Sequence, residues 1–136
     1  MNDIPQVMDM YQRLLLLRTP SRRNLSLESL HHYFENTFFS GPWRNNEPSS
    51  LVYQSSGCRV TGFFGVAPRQ KFFGEHPIRV AVSSHFMVEP ESRSTLAGLQ
   101  LIKALYSGPQ DLSFTDGAGE TGLKVLEGLG GIRASL

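Results

Sequence analysis

Residues 89–98, EPESRSTLAG, set one arginine, followed by two hydroxyls and a glycine, directly ahead of an apolar run at helical spacing. A helix start leaves backbone N–H groups unpaired and carries partial positive charge, which together suit a phosphate. Arg93 adds a fixed cation, Ser94 and Thr95 add hydroxyl donors, and Gly98 permits close approach to the main chain. The same pattern also describes a plain capped helix after a Pro-Glu turn, and spacing alone leaves both readings open. Upstream, His85 and Glu89 stand four residues apart with Met87 between them. Strand alternation sets His85 and Met87 on one face, with Glu89 on that side if the strand continues. Either His85 or Glu89 could then act as a general base. The competing roles are a hydrogen-bonded histidine on a sheet face and a solvated turn acid.

Other chemistry-bearing residues read more simply. Ser83, Ser84 and His85 adjoin, but neighbours on one strand point to opposite faces, which argues against a nucleophile–base pair. Asp116 in FTDG reads as a turn former. His31, His32 and His76 lack partners at metal-ligand spacing, so no metal site is expected. Cys58 has no evident base beside it and reads as structural. Phe63, Phe64, Phe72 and Phe73 fit core packing at strand spacing. PRQK at 68–71 is a basic cluster near a turn, either solvated or placed to steer an acidic nucleotide.

The elements that must position these groups follow from hydrophobic period. A helix is predicted over 3–18, with Ile4, Val7, Met8, Tyr11, Leu14 and Leu15 as its stripe. A second runs over 26–39, with Leu27, Leu30, Phe34 and Phe38 on one face. LVYQS and CRVTGFFGVA form a hairpin, QKFF follows, and the turn GEHP leads into a strand at 78–88. In that strand Ile78, Val80, Val82, Ser84, Phe86 and Val88 share a face, giving an antiparallel meander of three or four strands. A helix follows Pro90, then a strand at 111–116, a helix in GETGLKVLEGL, and IRASL as the start of another strand. This order predicts a mixed α/β fold, an antiparallel front half and a strand–helix–strand rear half with helices packed on the sheet. The right-handed crossover rule makes 111–116 parallel to 78–88, so Val88 and Asp116 end at one edge, a common ligand site in such sheets.

Composition bounds the answer. The 136 residues are 40% hydrophobic and 18% charged, room for one globular domain with one core. A formal net charge of +1 gives no general reason to expect nucleic acid or an anionic membrane as partner, so any anion site is built locally. Asp3 and Pro5 interrupt the start, and RLLLLR is too short to span a bilayer. The single cysteine fits a reducing compartment, and the expected location is cytoplasmic.

The sequence FMVEPESRSTLAGLQLIKAL resembles the acetyl-coenzyme A signature of the GNAT N-acetyltransferase superfamily. There a hydrophobic strand runs into V-x-P-x-x-R, then a loop of the form Arg/Gln-x-x-Gly-x-Gly/Ala and a helix. Arg93 matches the first loop position and Gly98 the last, while Leu96 stands at the middle glycine. GFFGVAPRQKFFGEHPIRVAVSSHFMV is similar to the family's central meander, and LEGLGGI to its Tyr-Glu-Lys-Leu-Gly-Phe segment. The resemblance covers about residues 3–135. It implies that the main chain of Met87 and Val88 holds a pantetheine arm. Arg93, Ser94, Thr95, Leu96, Ala97 and Gly98 would wrap the pyrophosphate, with the thioester where the two strands part. Acetyl-CoA is then the co-substrate, an amine attacks directly, and Glu89 or His85 takes the proton.

The tyrosine that often serves as acid in the family aligns with Leu126. By the same comparison residues 1–136 form one GNAT-like domain lacking the first and last strands. A longer chain or a second copy would then complete the sheet. Three hypotheses follow: an acyl-CoA-dependent N-acyltransferase, a catalytically impaired acyl-CoA-binding domain, and a protein-interaction or regulatory module.

Overall fold

The run VTGFFGVA, residues 60–67, is buried at every position, which requires a central strand covered on both faces. A computed structural model describes residues 3–18, 26–40, 48–115 and 118–135, the side chains of 16–18 and 94 excepted. Two helices come first, α1 (Ile4–Arg18) and α2 (Leu27–Phe34), the latter running into a π-helical turn (Glu35–Phe39). Strands β1 (Leu51–Gln54), β2 (Val60–Phe73) and β3 (His76–Val88) follow, then a 3-10 turn (Pro90–Thr95). Helix α3 (Ala97–Tyr106), strand β4 (Leu112–Thr115) and helix α4 (Glu120–Gly128) complete the order.

The four strands lie in sequence order, with β1–β2 and β2–β3 antiparallel and β3–β4 parallel, as the crossover rule predicts. Helices cover both faces. Val7, Met10, Leu30, Phe34 and Phe63 build the core on the α1–α2 side. Phe64, Val66, Ala81, Leu101, Ile102 and Leu105 build the other, with Leu126 of α4 packed against them. Central β2 supplies Phe63 to one core and Phe64 to the other, because successive side chains leave a strand on opposite faces.

Ser26 starts α2 by accepting a hydrogen bond from the Ser29 N–H at 3.1 Å on its Oγ. Three expectations need correction, and the choice between three and four meander strands is settled. The helix over 26–39 is α-helical only to Phe34, and Leu27 is exposed. QKFF continues β2, so the meander has three strands. Phe72 and Phe73 are 68% and 78% exposed, because the β2–β3 hairpin outruns β1 and none of the described helices covers its tip. Residues 132–135 form no strand, since Gly131 N–H bonds back to Leu126 O and Arg133 pairs with Glu127 at 3.0 Å. Among the described residues no helix is long and apolar enough to cross a membrane. Cys58 is exposed in the tight β1–β2 turn, with φ +57°.

Candidate functional site

Among the described residues, parallel pairing of β3 with β4 runs from Val80↔Leu112 to Ser83↔Thr115. Two side-chain bonds fix that last rung: Thr115 Oγ1 donates to Ser83 O at 2.8 Å, and Ser83 Oγ donates to Phe114 O at 3.4 Å. Beyond it, among the described residues, β3 continues to Val88 paired with β2 only. The β2–β3 register also slips, from Gly65↔Ser84 to Phe63↔Met87, so β3 carries one extra residue. His85 sits in that bulge with φ +52°, a left-handed conformation uncommon for histidine.

The bulge overturns two expectations from alternation. Phe86 and Val88 pack with Ala81 against α3, so Ile78, Val80, Val82, Ser84, Phe86 and Val88 do not share one face. Nor do Ser84 and His85 diverge, because Ser84 Oγ lies 3.1 Å from His85 Nδ1. Gly65, opposite, makes room for this kink. A Cβ on it would lie 2.7 Å from Phe38 Cε1 and 3.0 Å from Ser84 O.

Four aromatic rings surround His85: Tyr11, Tyr33 and Phe38 with centroids at 5.5 Å, and Phe34 at 5.6 Å. Tyr33 Oη stands 3.5 Å from His85 Nε2, at the limit of a hydrogen bond. Burial among these rings lowers the histidine pKa below its ordinary 6.5, because the charged imidazolium is poorly solvated there. The neutral ring is therefore favoured.

A cavity of about 860 Å³ opens where β3 and β4 part. Tyr11, Leu14 and Tyr33 wall it on the α1–α2 side, with His85 and Met87 at the sheet. Arg93, Ile102 and Leu126 wall it on the other, together with the first residues of α4. The sequence-based site residues divide around it. His85, Met87, Val88 and Arg93 line the cavity, whereas Glu89 does not. Glu89 is 1% exposed, so a solvated turn acid is ruled out. Its carboxylate accepts from Arg13 Nη2 at 2.5 Å and from Arg59 Nη2 at 2.7 Å.

In the loop, Arg93 Nε donates to Val88 O at 3.3 Å, and Thr95 Oγ1 donates to Ser92 O at 2.6 Å. The backbone of Ser94 is in the 3-10 turn, and Ala97 is fully buried. Gly98 faces the sheet: a Cβ there would lie 3.1 Å from Phe86 Cζ, so the glycine lets α3 approach β3 closely. Leu96 is 62% exposed with φ +60°. Arg69 of PRQK pairs with Val80, eight residues before Val88 on β3 and about 26 Å away at strand rise, which removes a steering role beside this loop. Asp116 lies outside the described residues.

No known family profile and no curated protein sequence matches this chain. Solved structures do. An acetyltransferase from Trypanosoma brucei superposes with a TM-score of 0.65 at 21% identity, over 98% of this chain and 88% of that one. A predicted acetyltransferase from Clostridium acetobutylicum, crystallised with acetyl-CoA, gives 0.71 at 16% identity, over 97% and 85%. Glucosamine-6-phosphate N-acetyltransferase from Arabidopsis thaliana gives 0.66 at 15% identity, over 99% and 90%. The chain has the GNAT fold.

Within the GNAT fold, the left-handed backbone at Leu96 gives a steric reason for a glycine at that loop position. Sequence reasoning missed Tyr11 and Tyr33 as cavity walls, and Arg13 and Arg59 as partners of Glu89. Tyr11 lay on the expected core stripe of α1, and Tyr33 lay off the stripe of α2. Arg13 is 76 positions from Glu89, a separation that no local pattern spans.

Proposed function

We propose that this chain transfers an acyl group from acyl-CoA to an amine. The observation that carries the reading is the cavity at the parting of β3 and β4 with neutral-favoured His85 in its wall. Three features fit acyl-CoA: the β3 main chain beyond Ser83 has no β4 partner among the described residues, Arg93 lines the cavity, and α3, which starts four residues after Arg93, has no side-chain cap on its first N–H groups. The similar structures from three organisms are named as acetyltransferases, and one was crystallised with acetyl-CoA.

Acyl-CoA, when bound, supplies an acyl group already activated as a thioester. The 84–88 main chain would hold the pantetheine arm, and Arg93 would leave Val88 O to meet a phosphate. In the tautomer that donates Nδ1–H to Ser84 Oγ, His85 would take a proton from the acceptor ammonium on its Nε2. The free amine then attacks the thioester carbonyl, the C–S bond breaks, and the CoA thiolate leaves to be protonated by water. Tyr11, Leu14, Tyr33 and Met87 favour an acceptor amine carried on an apolar or aromatic body.

Leu126 brings no acid to the cavity and favours a second reading, an acyl-CoA-binding domain without turnover. Titration calorimetry with acetyl-CoA, then thiol release with arylalkylamines, polyamines and amino sugars, tests both. Binding with thiol release on arylalkylamines is expected. Binding without release on any amine selects the second reading, and no binding at millimolar acetyl-CoA rejects both.

A further inference from the structure

Glu89 is the only charged residue among the buried ones described. One of its oxygens takes Arg13 from α1, and the other takes Arg59, the residue just before β2. Glu89 holds Arg13 above its already high pKa, and Asp9 steadies the same guanidinium at 2.9 Å. The Glu89 main chain is tied as well: its N–H donates to Thr61 O and its carbonyl accepts from Ser92 N–H, both at 2.9 Å. One residue at the strand–turn junction is therefore held from three directions. A buried ion pair is weak evidence for stability, since an apolar side chain of similar volume often does as well, and a more specific use is fixing geometry. The element leaving Glu89 is the 3-10 turn that carries Arg93 and leads to left-handed Leu96 and the start of α3. The helix on the other side of the clamp, α1, carries Tyr11 and Leu14 in the cavity wall.

We propose that Glu89 is a positioning residue: the Arg13–Glu89–Arg59 clamp sets the 90–98 loop in its anion-facing conformation before ligand arrives and locks it to α1. This goes beyond the acyl-transfer reading but rests on it for the identity of the anion. It also assigns Glu89 a role other than general base, in keeping with its place outside the cavity lining.

The test measures amide hydrogen exchange of residues 90–99 in the unliganded protein, acetyl-CoA affinity by calorimetry, and acyl-transfer kinetics. Wild type, Glu89→Gln, Arg59→Ala and Arg59→Lys are compared. Glu89→Gln and Arg59→Ala are expected to speed exchange in this loop selectively and weaken acetyl-CoA binding by roughly 10- to 100-fold. They should raise KM for acetyl-CoA with kcat within about threefold and the acid limb of the pH profile unmoved. Arg59→Lys should restore most of the affinity. Wild-type exchange in both folded variants overturns the clamp. So does loss of kcat with KM unchanged and the acid limb gone, which would make Glu89 the base. If Glu89→Gln does not fold, the exposed Arg59 pair decides alone. If wild type binds no acetyl-CoA, the acyl-transfer reading fails, while exchange in the free protein still decides the clamp.

Discussion

At His85 a backbone strain and a proton equilibrium meet. The ring is held in a left-handed bulge against four aromatic rings, and its pKa is lowered by burial. Between that lowered value and 6.5 the unfolded chain binds more protons at this position. The stability contributed by neutral His85 is thus present above pH 6.5 and lost as pH falls below it. Thermal melts from pH 7.5 to 5 should show a slope that His85→Gln flattens. In kinetics, the acid limb of kcat/KM is expected below pH 6.5 and should vanish in the same variant. Leu96 gives a second test. Left-handed backbone costs a leucine about 1–2 kcal/mol, against roughly 0.5–1 kcal/mol for the extra freedom of glycine in the unfolded chain. Leu96→Gly should therefore stabilise by about 0.5–1 kcal/mol in denaturant titration, where an exposed helical site with negative φ would lose stability. The family resemblance set Leu96 at the middle glycine of the loop without giving a reason for glycine there. The side chain is exposed, and the constraint is a dihedral angle that residue type alone does not display.

At the scale of elements, the bulge in β3 decides which side chains reach the cavity. Its sequence, SSHFMV, carries no glycine and keeps apparent alternation, so nothing local marks the slip. The mark lies on the neighbouring strand, at Gly65, and becomes readable only once register is known. Gly65→Ala should force Phe38 aside and destabilise the protein by about 1–3 kcal/mol, with fluorescence or NMR change at the aromatic rings around His85. A retained melting temperature would show that Phe38 repacks at little cost. The hairpin tip gives a contrast. Phe63→Ala removes a fully buried ring and should cost about 3–5 kcal/mol, whereas Phe72→Ser and Phe73→Ser should each stay within about 0.5 kcal/mol. Strand spacing placed all four phenylalanines alike. What separates them is where β1 ends and the helical layers stop, and that is a property of neighbours.

At the scale of the whole molecule, most of the architecture was legible. Two amphipathic helices, a run of alternating strands, then helix–strand–helix leave few topologies, and the crossover rule selects the parallel pair. That a cavity should lie where β3 and β4 part followed from topology for the same reason. Less legible were the long-range contacts: Arg13 reaches Glu89, and Tyr11 and Tyr33 reach His85, only when α1 and α2 dock, while Arg59 reaches Glu89 only when β2 pairs with β3. Both cores depend on β2, so the two helical layers should unfold together. A single cooperative transition by circular dichroism and by aromatic fluorescence is expected, and two separated transitions would show that the layers are independent.

The exposed Cys58, the sole cysteine, sits one residue before Arg59. Any reagent that counts thiols as acyl transfer proceeds will also count this one, adding one equivalent per chain as a fixed internal standard. The same thiol offers a single attachment point beside the clamp. A fluorophore placed there would sense the surroundings of Arg59 directly, so any rearrangement of the clamp would be read as an optical signal.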